Sequence, residues 1–169
     1  MALHSTKFWD FSNQLYDKDG VAEICLKLQE EFGVDVNLFL FCYWIAHFKY
    51  APSEIEWTQI LEFSKSWKTK IVQPLRNTRK SLIKLLKNHP ENSASTELLK
   101  NLRSDELLAE KIQQEAMQSV LKTTEADAQA FSPKDAMINL SYYFSKLDVA
   151  QTEELKSGLL KIAESVASS

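Results

Sequence analysis

Leu38-Phe39-Leu40-Phe41-Cys42-Tyr43-Trp44-Ile45-Ala46-His47-Phe48 reads as a helix with no polar face, broken only by Asn37 just before it and His47 near its end. Such a helix is surrounded by other elements, because water on any side would meet apolar surface. The stretch is therefore placed at the centre of a helical core, over about Val36–Lys49, or else half-exposed in a dimer interface. Its longest apolar run, Leu38–Ala46, is nine residues, against the ~20 needed to cross a bilayer. No membrane span is expected.

Working outward, helical spacing of apolar residues recurs on both sides. Phe8, Phe11 and Leu15 mark a first helix over Thr6–Tyr16; Val21, Cys25 and Leu28 mark a second that ends at Gly33, a left-handed cap. Asp35 stands as the N-cap of the central helix. Ser53 and Glu56 form a capping box for a fourth helix through Trp57, Ile60, Trp67 and Ile71. Pro74 should kink or interrupt that helix, since proline lacks a donor and clashes with the preceding turn, and helix resumes to about Lys87. After a polar loop over Asn88–Ser95 containing Pro90, a long helix runs over about Thr96–Glu125; two more follow Pro133 and Thr152. The prediction is all-α, about seven helices: an aromatic-rich core over 6–72, a long helical hairpin over 74–125, and a C-terminal helical pair over 132–167. The hairpin and core form one unit, 1–125. Fourteen of the eighteen aromatics lie in residues 1–67, which puts the compact core in the first four helices.

Only three glycines and four prolines occur in 169 residues. The glycines are far apart, which excludes a dinucleotide-binding loop, a P-loop and a nucleophile elbow, each of which needs glycines close together. The same scarcity excludes turn-rich all-β folds. His4, His47 and His89 lack acidic or histidine partners at ligand spacing, and no two aspartates stand four apart. No catalytic residue, metal site or cofactor is assigned. Cys25 and Cys42 fall in apolar helical patterns and read as buried, reduced thiols. Met1–Lys7 lacks a basic segment followed by an apolar run, so a cytoplasmic protein is expected.

The net charge of −3 conceals a division. Residues 1–62 carry four basic and ten acidic side chains, 63–90 carry eight basic and no acidic, and 91–169 carry eight basic and thirteen acidic. On a helical wheel, Arg76, Arg79, Lys80, Lys84 and Lys87 share an arc of about 140°, opposite Leu75, Leu82, Leu85 and Leu86. The stripe is a solvated face, a face neutralised by Glu106, Glu110 and Glu115 of the long helix, or a contact for an acidic protein or nucleic-acid phosphates. Asp35, Asn37 and His47 are the candidate polar site at the central helix, and an apolar pocket near Trp44, Trp57 and Trp67 would open at Asp35 and Asn37.

Phe8-Trp9-Asp10-Phe11-Ser12, Tyr16, Gly20-Val21-Ala22, Cys25-Leu26-x-Leu28-Gln29, Gly33-Val34-Asp35-Val36-Asn37-Leu38 and Phe41-Cys42-x-Trp44 are familiar together. So are Trp67 and Val72-x-Pro74-Leu75-Arg76-x-x-Arg79-x-x-Leu82. Over about residues 8–122 the chain resembles a family of small proteobacterial helical proteins, a domain of unknown function. The resemblance implies a helical, bacterial, cytoplasmic protein and no particular activity. It singles out Asp35, Asn37, Arg76 and Arg79, which could bond to one another as a buried network. The leading expectation is a non-catalytic interaction or regulatory protein that binds a protein partner or itself. The alternatives are nucleic-acid or phosphoanion binding through helix 65–87, and a small-molecule or enzymatic pocket near helix 36–49.

Overall fold

The computed structural model describes residues 7–48, 50–87, 92–123 and 127–168. Thr6, Lys49, Pro90, Glu125, His4 and His89 lie outside them. The chain is all-α: α1 (Phe8–Tyr16), α2 (Val21–Phe32), α3 (Val36–Trp44), α4 (Glu54–Trp67), α5 (Gln73–Leu86), α6 (Ser93–Val120), α7 (Pro133–Ser145) and α8 (Glu153–Ala167). A 3-10 turn, Ile45–His47, extends α3, and a π turn, Lys68–Val72, joins α4 to α5. With α4 and α5 continuous, the described residues make seven helices. Among the described residues the only β-type contact is an isolated bridge between Phe48 and Ala128.

Helix α3 is the axis of the core. Every residue from Asn37 to Trp44 is buried, as the absence of a polar face demands. Trp44 is packed by Phe8 at 5.3 Å and Phe48 at 4.9 Å between ring centroids, and Trp57 meets Phe41 edge-on. Aromatic pairs of this kind add to an already large apolar burial. Trp44 and Trp57, expected beside an apolar pocket, are packed by these rings, whereas Trp67 stacks on Phe63 and donates through Nε1 to the Ala109 carbonyl. His47 is likewise held in the core, between Phe11 and Phe131, with Nδ1 3.3 Å from the Trp44 carbonyl oxygen.

The core also reaches further along the chain than the distribution of aromatics suggests. Phe131, Ala136, Leu140, Tyr143 and Phe144 of the α7 region, and Leu159, Ile162 and Val166 of α8, belong to the same apolar cluster as α1–α4. Three hydrogen bonds tie this pair to the axis: Asn139 Nδ2 donates to the Cys42 carbonyl, Tyr43 Oη donates to the Leu159 carbonyl, and the Asp35 amide donates to Tyr143 Oη at 2.8 Å. Four aromatics sufficed for that closure because α3 offers apolar surface on every side.

Pro74 does not break its helix. The backbone widens into the π turn just before it, which takes up the missing donor and the ring's clash with the preceding turn. Helix α6 starts at Ser93 rather than Thr96: Asn92 accepts from the Ser95 amide, and the Asn92 amide donates back to Ser95 Oγ. It ends at Val120, where Leu121 turns to extended backbone and enters the core. At 28 residues it spans about 42 Å. It packs against α5, α4, α1, α3 and the π turn, has no buried residue before Glu106, and forms a helical hairpin with α5. Gly158 faces open space, and nothing in the structure explains it.

Candidate functional site

The two halves of the chain's motif meet at the base of the hairpin. Gly33, at φ +68°, ends α2 in the left-handed region, where only glycine is unstrained. Its turn delivers Asp35 to the N-terminus of α3, where Asp35 Oδ1 accepts from the Asn37 amide at 2.9 Å. This is the N-cap predicted from the sequence. Lys68 of the π turn closes the end of α2, donating to the carbonyls of Gly33 and Val34 at 3.1 and 3.4 Å.

From there a ladder of amides crosses to α6. Gln113 Nε2 donates to Asp35 Oδ2 at 2.8 Å, Asn37 Nδ2 donates to Gln113 Oε1 at 2.9 Å, and Gln114 Nε2 donates to Asn37 Oδ1 at 2.8 Å. Ser12 Oγ on α1 ends the ladder, 2.9 Å from Gln114 Oε1. Gln113 and Gln114 are 1 % and 3 % exposed. Buried polar groups must find partners, and here each supplies the next.

One and two turns towards the hairpin tip, the ladder gives way to ion pairs. Arg76 donates through Nε to Glu106 at 2.8 Å, through Nη2 to Glu110 at 2.7 Å and through Nη1 to Gln29 at 3.0 Å. Arg79 grips Glu106 through Nε at 2.6 Å and Nη2 at 3.3 Å. The two carboxyls respond in opposite directions. Burial works against ionisation of Glu106, but the hydrogen bonds from Arg79 and Arg76 outweigh it and hold this carboxyl below its ordinary value. At Glu110 burial prevails over the attraction of Arg76, with Glu106 and Asp35 adding repulsion, so its carboxyl lies above the ordinary value.

These groups line a cleft of about 390 Å³ between α1, α2, α3, α5 and α6. Residues 7–117 match the family described as "Protein of unknown function (DUF2390)". The chain belongs to that family. No curated protein and no solved structure matches it. The DUF2390 match ends inside α6, so α7 and α8, which complete the core, lie beyond it.

The cleft brings Asp35, Asn37, Arg76, Arg79 and Lys80 to one place. His47 does not join them. Arg76 and Arg79 reach Glu106 and Glu110 rather than Asp35, and the two networks are joined through the backbone of α6. Of the basic stripe, Lys80, Lys84 and Lys87 are exposed, and among the described residues none of the three is in an ion pair.

Sequence reasoning missed Gln29, Gln113, Gln114 and Ser12. A signal existed for one of them: Glu106, Ala109, Gln113 and Met117 recur at spacings of three and four, the spacing of one helix face. Polar residues on that face interrupt the apolar pattern and therefore read as gaps in it. Ser12, the hydroxyl on the floor, is bonded to an amide and to the Trp9 carbonyl, neither of them a base. Among the described residues, no group of three or more His, Cys, Asp and Glu could hold a metal ion.

Proposed function

We propose that this DUF2390 chain is a non-catalytic interaction protein of the bacterial cytoplasm, that its docking element is the α5–α6 hairpin, and that it docks a second copy of itself. One observation carries the reading: the hairpin's outer half has no fully buried residue, yet it is rich in leucine. Helix α5 has no buried residue, and α6 has none before Glu106, while Leu85 and Leu98 are 63 % and 50 % exposed. On helical wheels for two antiparallel helices, the exposed Leu85 of α5 shares one flank of the hairpin with the exposed Leu98, Leu108 and Ile112 of α6. Arg76, Lys80 and Leu107 fall on the other flank, the one that lines the cleft.

An apolar flank along a helical hairpin is the seam of a helical bundle that lacks its other half. Charge is compatible with a second copy. Arg76 and Arg79 are spent on Glu106 and Glu110 within the chain, which leaves α5 with Lys80 and Lys84 and no acid, and α6 with Glu97, Asp105 and Glu115 beside Lys100, Arg103 and Lys111. An antiparallel pairing of two hairpins sets Lys84 of each copy against the mixed charges of the other copy's α6. Nucleic-acid binding is less well supported, since Arg76 and Arg79 are committed to carboxylates. The test is the mass in solution by light scattering after gel filtration. A dimer is expected at about 100 µM, a level that captures micromolar association, and Leu85→Glu with Leu98→Glu should give a monomer of unchanged helicity. A wild-type protein that stays monomeric at that concentration refutes self-docking.

A further inference from the structure

The charges along the cleft are sorted, and they are sorted independently of the hairpin's apolar flank. At the inner end, Asp35 accepts two hydrogen bonds from neutral donors, the Asn37 amide and Gln113, and Glu110 accepts one, from Arg76. A carboxylate has room for about four, so both keep acceptor capacity towards the cleft. Of the two cations at this end, Lys68 is turned to the carbonyls of Gly33 and Val34, and Arg76 is shared among Glu106, Glu110 and Gln29. At the outer end, Arg79 spends Nε and Nη2 on Glu106 and keeps Nη1, and beside it Lys80 is exposed without an ion pair. Between the ends, Trp9 and Tyr16 from α1 and Leu107 from α6 line the cleft beside Arg76, whose guanidinium is held on Glu106 and Glu110.

We propose that this cleft binds a small zwitterion of dipeptide or ω-amino-acid size, with its ammonium on Asp35 and Glu110 and its carboxylate on Arg79 and Lys80. The spacing sets the size. Glu110 and the Glu106 that anchors Arg79 are one helical turn apart, about 6 Å at 1.5 Å per residue, so the ligand's charges stand about 6–8 Å apart. An α-amino acid, with its charges on one carbon, is too short. The volume of about 390 Å³ lies in the usual range for small-molecule sites, about 300–1,000 Å³. The Glu110 carboxyl lies above its ordinary value chiefly through burial, which an ammonium beside it would offset. The amide ladder beneath is fully bonded, so the floor is rigid before the ligand arrives.

Calorimetric titration of the full chain tests this with four probes: 6-aminohexanoate, alanyl-leucine, 1,6-diaminohexane and adipate. The zwitterions should bind, and the diamine and the diacid, which satisfy one end each, should bind at least about tenfold more weakly. Lys80→Ala, on an exposed side chain that leaves the fold intact, should weaken 6-aminohexanoate several-fold and leave the diamine unaffected. Glu110→Gln should weaken both. Three results overturn the proposal: no zwitterion binding at about 10 mM, adipate or diamine binding as tightly as the zwitterions, or zwitterion affinity untouched by Lys80→Ala.

Discussion

Glu106→Gln puts the ion-pair reading to its hardest test. Glu106 accepts from Arg76 Nε, Arg79 Nε and Arg79 Nη2 at 2.8, 2.6 and 3.3 Å. Glutamine keeps the volume, removes the charge and turns an amide donor towards a guanidinium. Arg76 retains Glu110 and Gln29; Arg79 is left without a carboxylate partner among the described residues. Removing one member of a fully buried pair costs about 3–5 kcal/mol. The arginine side chains here are 17 % and 23 % exposed, so solvent screens part of the loss, and about 2–3 kcal/mol is expected.

Urea unfolding followed by tryptophan fluorescence reads this directly. With a slope near ~2 kcal/mol/M, the midpoint should fall by about 1–1.5 M at neutral pH. Lys84→Gln, on an exposed side chain, should stay within about 0.5 kcal/mol of wild type. The pH dependence supplies a second arm. The folded carboxyl of Glu106 lies below its unfolded value, because the arginine hydrogen bonds outweigh burial. Its stabilisation is therefore complete above the unfolded value of about 4.3 and is lost as pH falls through the folded one. The gap between wild type and variant should be constant from about pH 6 to 8 and should close below about pH 4. An unchanged midpoint at neutral pH refutes the ion-pair account, and a gap that persists in acid assigns the effect to packing.

Asn37→Ala removes the middle of the amide ladder and leaves Gln113 Oε1 and Gln114 Nε2 without their partner. Two buried unsatisfied groups cost about 2–4 kcal/mol together, which thermal unfolding should register as a fall of several degrees; no fall would show that water replaces the side chain. Burial pushes the Cys25 thiol up to about 12 and Cys42 higher still, so the thiolate is scarce at neutral pH. Both thiols should react with Ellman's reagent only at the rate of unfolding, and rapid labelling of the folded protein would contradict the burial of α2 and α3.

Local chemistry alone determined much of this protein. The all-α class, the central α3, the Gly33 and Asp35 caps and the Ser53–Glu56 box depend on side chains and backbone a few residues apart, so spacing along the chain was enough to read them. Tertiary structure decided the rest. Whether Arg76 and Arg79 faced solvent or carboxylates depended on how α5 and α6 rotate against each other, and Glu106 and Glu110 lie some thirty residues away. Gln113 and Gln114 are ordinary polar residues until Asp35 and Asn37 arrive opposite them. The C-terminal pair enters the core because α3 leaves apolar surface that α1, α2 and α4 do not cover. Helix and cap are short-range properties of a chain; pairing across more than a hundred residues, as between Ser12 and Gln114, exists only once the helices have packed.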